Sequence, residues 1–284
     1  MKIILILLAL FACLRFVCSN RLKTVFYQLP SPKIQQPVRL ALLTDLHSCL
    51  YGSKQQKLLH AIQKQQPALI LFAGDIYDDK YPGINTELLL QGLRNYTCFY
   101  ASGNHEYRSQ QPLPAEIFQL LRTYGLNILQ GKCATVSANG QLLNICGVDD
   151  PSVRLYSYYD DSTEQQLAAI GQADANGCFT ILLAHRPERI KQYMWYGFDL
   201  VLCGHAHGGQ WRIPGLMNGL FAPNQGLFPP YAGGRYQFER GQMIVSRGLA
   251  KNHPFVPRIF NRPELVIIDL MPQINQPLLN GMAS

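Results

Sequence analysis

Short polar blocks follow five apolar runs of the chain, each at the point where the run ends. They are Asp45-Leu46-His47, Gly74-Asp75, Gly103-Asn104-His105-Glu106, His185 and Gly204-His205-Ala206-His207. Short apolar runs that are bounded in this way predict buried β-strands. Because open α/β sheets bind their ligands just outside the carboxyl ends of the strands, five such endings predict one shared site.

The blocks contain the side chains that bind divalent metal ions. Asp45 and His47 are two residues apart at a strand end and can turn toward one ion, whereas Asp75 has two oxygens and can bridge two ions. Asn104 adds a neutral oxygen, which limits the negative charge that would repel a phosphate. Each motif alone is weak, because Asp-x-His is commonly a surface pair and Gly-Asp a turn. The joint occurrence with His185, His205 and His207 predicts a two-metal site.

The segments between the blocks predict an α/β fold. Helical spacing occurs over residues 53–65, with Ser53 as the N-cap, and helices are also predicted near 114–124 and 162–171. Asn139-Gly140 between two strand-like stretches predicts a hairpin. The alternation of strand, polar end and helix predicts a layered domain whose central strands are largely parallel.

The domain organisation is predicted as a leader, a linker and one catalytic domain. Residues 1–19 are an apolar leader, residues 20–37 a linker without periodicity that ends in an edge segment, and residues 38–284 the domain. The apolar run Ile3–Val17 is interrupted by Arg15 and is shorter than the roughly 20 residues of a spanning helix. Two interpretations stay open: an uncleaved membrane anchor, and a signal segment that is removed after Ser19.

Charge and cysteine usage favour a cytoplasmic catalytic domain behind a membrane anchor. Only Lys2 precedes the apolar run, whereas several basic residues follow it, and such a bias places the following side in the cytoplasm. Four of the 8 cysteines lie in or beside apolar strand runs, where free thiols behave as small hydrophobic groups. These four are Cys98, Cys146, Cys178 and Cys203. No disulfide framework is therefore expected, and export after cleavage of the leader is the alternative.

The formal net charge of +7 fits a protein that meets phosphate groups. Such a charge attracts a phosphate-bearing substrate or an anionic membrane surface. The basic residues are scattered and do not form a stripe with interleaved aromatic residues, so nucleic acid is not the expected partner. The sequence carries no signal for an oligomeric state.

The order of the five blocks resembles the calcineurin-like metallophosphoesterase superfamily, and the match runs from about Val38 to Leu270. The leader, Gly208-Gly209-Gln210 and Ser246-Arg247-Gly248 resemble its bacterial membrane-associated branch. That branch includes enzymes that cleave the pyrophosphate of UDP-2,3-diacylglucosamine during lipid A assembly. The resemblance implies a four-layer αββα sandwich, in which helices flank two β-sheets.

The resemblance also implies two divalent ions that share Asp75. The first ion would be held by Asp45, His47, Asp75 and His207, and the second by Asp75, Asn104, His185 and His205. The usual ions are Mn²⁺, Fe or Zn²⁺, and a mixed set of His, Asn and carboxylate ligands does not select among them. The implied reaction is in-line attack of water on phosphorus, without a covalent enzyme intermediate.

Three further side chains and one loop have two interpretations each. His105 donates a hydrogen bond or proton to the leaving oxygen, or only orients the strand end. Glu106 orients His105, or caps the following segment. Arg247 binds a substrate phosphate, or forms a surface ion pair. The Gly/Pro/aromatic loop 213–234 grips acyl chains or the bilayer surface, or it packs over the sheet edge.

The sequence as a whole predicts a metal-dependent hydrolase of phosphodiester or pyrophosphate bonds at a membrane surface. The candidate substrate is UDP-2,3-diacylglucosamine. One alternative is a phosphodiesterase for soluble nucleotides or simple diesters. The other is a metal-free scaffold of the same fold that binds proteins, but a scaffold predicts eroded ligands, and all of them are present.

Overall fold

The computed structural model describes residues 15–78, 81–109, 112–156, 162–251 and 257–273. Its strands are β1 (Lys23–Ser31), β2 (Val38–Leu43), β3 (Leu69–Ala73), β4 (Cys98–Ala101), β5 (Asn127–Ile128), β6 (Lys132–Ala138), β7 (Gln141–Gly147), β8 (Phe179–Leu183), β9 (Leu200–Cys203), β10 (Phe221–Ala222), β11 (Gly226–Leu227), β12 (Gly234–Gln237), β13 (Gln242–Val245) and β14 (Glu264–Pro272). Its α-helices are α1 (Gln56–Gln65), α2 (Ile84–Gly92), α3 (Asn104–Arg108), α4 (Pro114–Thr123), α5 (Val153–Tyr156), α6 (Thr163–Ile170) and α7 (Ile190–Tyr193). Short 3-10 turns lie at Ser53–Gln55, Pro187–Arg189, Met194–Tyr196 and His207–Gly209.

Two six-stranded sheets form the centre of the described structure. The first has the order β1-β14-β2-β3-β4-β5 and the second the order β12-β13-β9-β8-β7-β6. Antiparallel pairs occur between β14 and β2, between β12 and β13, and between β6 and β7, and the other neighbours in the two sheets are parallel. The expected parallel central strands are therefore confirmed, and their carboxyl ends point the same way within each sheet.

The apolar core lies in three layers, which confirms the αββα sandwich. Leu40 of β2 packs in one cluster with Ile181 of β8, so this cluster fills the space between the sheets. Ala41, the next residue of β2, packs with Ile62 of α1 on the opposite face of the first sheet. Tyr193 of α7 packs with the outer face of the second sheet. Because both faces of the central strands are covered, their sequences are apolar without alternation.

Strand β1 lies inside residues 20–37, for which the sequence predicted a linker that ends in an edge segment. It pairs in parallel with β14 from Lys23↔Glu264 to Ser31↔Pro272, and it forms the edge of the first sheet. Most of its side chains are exposed or half-buried, and its partner is more than two hundred residues away in the chain. A polar edge strand of this kind has weak local signals, so the segment is a part of the sheet rather than only a connector.

The leader predicted for residues 1–19 falls mostly outside the described residues, which begin at residue 15. In the part of the chain that the structure describes, no helix has both the length and the apolar character that a membrane span requires.

The local predictions for helices and turns are correct with one exception. Asn139 and Gly140 both have positive φ in the tight turn between β6 and β7, as the hairpin signal predicted. The Ser162 side chain caps α6 by accepting a hydrogen bond from the backbone N–H of Gln165. The predicted Ser53 cap is wrong, because a 3-10 turn occupies residues 53–55 and α1 begins only after it.

Cys133 and Cys146 form a disulfide, which corrects the expectation that Cys146 is a free small hydrophobic side chain. The two residues are directly opposite each other in the register of β6 and β7. The Asn139-Gly140 turn sets this register, so the pairing could have been inferred from the sequence by counting outward from the turn.

Ile181 allows a test of the layer between the sheets. Its side chain is fully buried there, so Ile181→Ala should lower the free energy of unfolding by about 2–5 kcal/mol. The measurement is denaturant or thermal unfolding, with Leu142→Ala as a control, since Leu142 of β7 is half exposed. Equal losses in the two variants would contradict the assignment of this layer as the main core.

Candidate metal centre

The seven predicted ligands meet at one edge, where β2, β3, β4, β8 and β9 end. Asp45 and His47 follow β2, Asp75 follows β3, and Asn104 begins α3 after β4. His185 follows β8, and the last two ligands, His205 and His207, follow β9. Six of the seven are buried and His207 is half-buried. Two sheets that pack face to face thus bring ligands from both halves of the chain to one place.

The ligand atoms form two groups that share a neighbour. The first contains Asp45, His47 and His207, and the second contains Asp75, His185 and His205, each with its ligand atoms within 4.8 Å of one another. Asp75 Oδ2 is 3.0 Å from His185 Nε2 in its own group. The same oxygen is 3.7 Å from His47 Nε2 in the other group. Asp75 therefore lies between the groups, where a bridging carboxylate is needed.

Three buried ligand atoms have no hydrogen-bond partner among the described residues. They are Oδ2 of Asp45, Nε2 of His47 and Oδ1 of Asn104. A buried polar atom without a partner costs about 1–3 kcal/mol, so native proteins rarely keep one without a reason. An oxygen or nitrogen atom that accepts no hydrogen bond keeps a lone pair free, and it can donate this lone pair to a metal cation. The donor set therefore fits a pair of divalent ions.

The backbone of the ligands is strained. Asp45, His47, Asp75, His205 and His207 all have φ between 47° and 64°. For residues other than glycine this left-handed conformation costs roughly 1–2 kcal/mol each. Such strain persists only where the surrounding structure enforces it, and it concentrates at functional sites. Here it turns five ligand side chains off the ends of their strands and toward one point.

The glycines of the polar blocks allow the loops to approach each other closely. A Cβ atom at Gly103 would lie 2.1 Å from Oδ1 of Asp75. A Cβ atom at Gly204 would lie 2.4 Å from Oδ2 of Asp45. Gly103 and Gly204 must therefore be glycines, because the carboxylate of a different loop leaves no room for a Cβ atom at either position.

The charges of the centre are balanced between its carboxylates and imidazoles. Burial lowers the pKa of His185, but the carboxylates of Asp75 and Asp45 outweigh it and raise this pKa to about 10. Burial and the nearby His185 lower the pKa of His205 to about 4. Burial also lowers the pKa of His207, to about 3. His205 and His207 are therefore neutral at neutral pH, which is the form that binds metal.

Glu106 joins two of the ligand loops. Its carboxylate accepts the backbone N–H of Gly103 at 2.9 Å, which caps α3, and those of Ile76 and Tyr77 at 2.7 and 3.1 Å. It also accepts the N–H of Asp75 at 3.1 Å. These contacts fit the capping interpretation, and they fix the loop of Asp75 rather than the ring of His105.

His105 lies at the more open side of the centre. Its backbone N–H donates to Oδ1 of Asp75 at 2.8 Å, and its ring meets that of His47 edge-on with centroids 4.4 Å apart. Its Nδ1 is 3.8 Å from Oδ2 of Asp78, and its side chain is 22% exposed. The imidazole is thus next to the ligand groups and within reach of solvent.

Asp78 is a functional residue that the sequence analysis missed. Its Oδ2 is 2.9 Å from Nδ1 of His47, which leaves Nε2 of that ring to face the centre. Carboxylates that hold the outer nitrogen of a metal-binding histidine fix its orientation and its tautomer. The residue follows Asp75 by three positions, in the same loop after β3, and this proximity was the available signal.

A second missed network fixes His205. Nε2 of His205 is 2.9 Å from Oδ1 of Asn224, while its Nδ1 is 3.2 Å from Nε2 of His185. Arg186 also donates to Asn224, and it is held by both oxygens of Asp150 at 2.5 and 3.0 Å. Asp150 follows the end of β7 in the same way as the five blocks follow their strands, so it could have been found. Asn224, in the loop 213–234, carried no sequence signal.

Arg247 is buried rather than part of a surface ion pair. Its Nη2 donates to Oδ1 of Asn218 at 2.8 Å and to the carbonyl of Gly233 at 3.2 Å. Its Nε is 3.9 Å from Oε2 of Glu264. The guanidinium therefore packs against the loop 213–234, and its predicted contact with a substrate phosphate stays a prediction.

Comparison with known proteins identifies the family of the chain. A family model described as calcineurin-like phosphoesterase matches residues 38–209. The protein YpbG of Bacillus subtilis is 26% identical over 257 residues, which cover 89% of this chain and 88% of YpbG. The phosphodiesterase YaeI of Escherichia coli is 26% identical over 247 residues, which cover 83% of each chain.

A comparison of structures gives the same fold. The 5'-nucleotidase precursor of Thermus thermophilus superposes with a TM-score of 0.51 at 18% identity, over 75% of this chain. The chain spans about half of that structure, 49% of its length. This likeness concerns the fold alone.

Gly103 tests the close approach of the two loops. Gly103→Ala should displace Asp75 and weaken Mn²⁺ binding by roughly 10- to 100-fold, as loss of a supporting contact does at metal sites. The shift of the melting temperature with added Mn²⁺ measures the binding. Gly177→Ala is the control for backbone effects, since Gly177 has open space around its Cβ position. Its positive φ makes alanine strained there, whereas Gly103 has extended backbone, so a loss at Gly103 alone reports the close packing. Similar Mn²⁺ affinities in the two variants would refute the close packing at Gly103.

Proposed function

The chain belongs to the calcineurin-like phosphoesterase family, and we propose that it hydrolyses phosphodiester or pyrophosphate bonds of a lipid-linked substrate at a membrane surface. UDP-2,3-diacylglucosamine is the candidate substrate. The loop 213–234 supports a lipid substrate, because the same loop exposes large apolar side chains to solvent and contacts the metal centre.

The loop 213–234 extends from the centre to solvent. Asn224, in the turn between β10 and β11, meets His205 of the metal centre. On either side of this turn, large apolar side chains are exposed to solvent. They are Leu216 (81% exposed), Phe221 (52%), Leu227 (66%) and Phe228 (67%). A concentration of exposed apolar side chains beside a site is typical of a surface that binds lipid or another apolar partner. The loop therefore supports the lipid-binding interpretation over that of a packed cover.

Two divalent ions would be held by the seven ligands, with Asp75 shared between them. When bound, such a pair of ions polarises the phosphoryl oxygens and activates water at neutral pH. The chain contributes the positions of the ligands, which the left-handed backbone, the glycines and Glu106 maintain. Asp78 and Asn224 keep the rings of His47 and His205 in the orientation that turns one nitrogen toward the centre.

His105 is proposed to donate a hydrogen bond or a proton to the leaving oxygen. Three facts support this role: the ring lies next to the ligand groups, it is partly open to solvent, and its main chain is fixed by Asp75. A general acid needs access to the substrate and a fixed position. The exposure of the His105 side chain and the hydrogen bond of its main chain to Asp75 support both.

A second candidate function is a phosphodiesterase for simple diesters on the outer side of a membrane. The disulfide between Cys133 and Cys146 favours it, because structural disulfides are typical of oxidising compartments. The relative YaeI is named a phosphodiesterase. The charge bias around the leader predicted instead a cytoplasmic domain, and a UDP-linked substrate is proposed for that location. Substrate preference therefore separates the two candidates.

A turnover screen with Mn²⁺ tests the lipid substrate. UDP-2,3-diacylglucosamine should be hydrolysed with a higher kcat/KM than bis-(p-nitrophenyl) phosphate or p-nitrophenyl phosphate.

A loop variant tests the role of the exposed apolar side chains. In Leu227→Ser/Phe228→Ser, kcat/KM for the lipid should fall by roughly tenfold or more, since burial of a large apolar side chain contributes about 1.5–3 kcal/mol. The values for both chromogenic esters should stay unchanged. Trp195→Ser is the control, because Trp195 is 76% exposed and lies outside the loop. A preference for the chromogenic diester, with no effect of the loop variant, would favour the second candidate.

His105→Ala tests the proposed acid. It should lower kcat by roughly 10²- to 10⁴-fold while Mn²⁺ still raises the melting temperature as it does in the wild type. His60→Ala serves as a control, because His60 is exposed on α1. Full turnover of the His105 variant with its ions bound would restrict His105 to orienting the strand end.

A further inference from the structure

A basic cleft lies where residues 15–24 run along the domain, at the starts of β1 and β14. It has a volume of about 1340 Å³, and eight basic side chains and one carboxylate, that of Glu264, line it. Among its lining residues in the described part of the chain, none is a predicted metal ligand. We call it the leader cleft. Its charge attracts an anion that is separate from the reacting phosphate.

Two buried guanidinium nitrogens at the leader cleft have no hydrogen-bond partner among the described residues. They are Nη1 of Arg247, which is only 8% exposed, and Nε of Arg212. Glu264 is the nearby carboxylate, and it already accepts the backbone N–H of Arg247 at 2.9 Å. Burial and the charge of Arg247 lower the pKa of Arg212. A buried guanidinium (Arg247) and a half-buried one (Arg212) face one carboxylate, Glu264, which leaves positive charge and donors for an anionic oxygen.

The wall of the leader cleft is held against the domain. Phe260 donates its backbone N–H to the carbonyl of Val17 at 2.9 Å. Arg262 donates to the carbonyls of Arg21 and Leu22 at 2.9 and 3.0 Å. The segment that forms this wall is therefore fixed without a ligand, and binding does not need to order it.

This wall continues the apolar leader of the sequence. The run Ile3–Val17 leads directly into it, and Phe16, at the end of the run, lines the cleft and is 76% exposed. If the run enters a bilayer, the cleft that follows it lies at the level of the phosphate headgroups. Basic clusters next to a membrane segment are attracted to anionic lipids.

We propose that the leader cleft binds the phosphate headgroup of an anionic phospholipid. The proposal rests on the membrane-surface function proposed above, and it adds a site and a ligand class to it. The cleft is coupled to the metal centre by the loop that follows β13. In this loop Arg247 reaches the cleft, and the next residue, Gly248, packs so tightly on Asp45 that a Cβ atom would lie 2.7 Å from Cβ of Asp45. A bound headgroup would thereby set the orientation of the metal centre relative to the bilayer.

Vesicle flotation of the full chain tests the proposal. Wild-type protein should bind vesicles that contain phosphatidylglycerol more tightly than vesicles of phosphatidylcholine alone. Lys23→Gln/Lys57→Gln should weaken binding to the phosphatidylglycerol vesicles by about tenfold or more, since each basic residue near an anionic surface contributes roughly 1 kcal/mol. Both lysines line the cleft and are exposed, so the variant should fold. The matched control is Lys54→Gln/Lys64→Gln, which removes the same charge from exposed positions outside the cleft.

Two further measurements separate this proposal from the proposed hydrolase. Turnover of bis-(p-nitrophenyl) phosphate without vesicles should be equal in both double variants and the wild type. Equal turnover, together with loss of the preference for phosphatidylglycerol vesicles in Lys23→Gln/Lys57→Gln, supports the proposal. It does so even if the enzyme does not hydrolyse UDP-2,3-diacylglucosamine. Equal effects of the two double variants on vesicle binding would overturn it. A second result would also overturn the proposal. In it, inorganic phosphate raises the melting temperature only of proteins with an intact cleft, while the wild-type protein shows no preference for vesicles that contain phosphatidylglycerol.

Discussion

The carboxylate of Asp75 connects the two ligand groups of the site. One of its oxygens lies between Nε2 of His185, at 3.0 Å, and Nε2 of His47, at 3.7 Å, and the other accepts the backbone N–H of His105 at 2.8 Å. Burial raises the pKa of Asp75, yet the surrounding imidazoles hold it well below its usual range. A buried carboxylate that stays ionised needs positive charge around it. Without metal, His185 supplies much of that charge, because Asp75 outweighs the effect of burial and raises the pKa of His185 to about 10. A bound divalent ion would supply the charge in its place and displace the proton of His185, which leaves this histidine as a neutral ligand.

The fold supplies this arrangement through its layers. β2, β3 and β4 belong to the first sheet, and β8 and β9 belong to the second, so each ligand group draws side chains from both sheets. The apolar layer that joins the sheets therefore sets the distance between the two sets of ligands. Core packing and site geometry are thus connected, although the residues that provide them differ.

Sequence reasoning succeeded where a signal is local. The ends of the buried strands, the Asn139-Gly140 turn and the helix near residues 162–171 each depend on a few neighbouring residues. It was incomplete where partners are distant, as for β1: an edge segment was expected after the leader, but not its pairing with β14, which spans most of the chain. Asn224 is a similar case, since an asparagine in an irregular loop shows no sign that it will meet His205. The Cys133–Cys146 pair lies between these cases, because the hairpin register places the two cysteines opposite each other.

The number of divalent ions that one chain binds tests the shared role of Asp75 most directly. Protein loaded with Mn²⁺, desalted and analysed for metal content should retain two ions per chain, and Asp75→Asn should retain at most one. The asparagine keeps the size of the side chain but removes the negative charge and one of the two ligand oxygens. Two ions in Asp75→Asn, or none in the wild-type chain, would contradict the account.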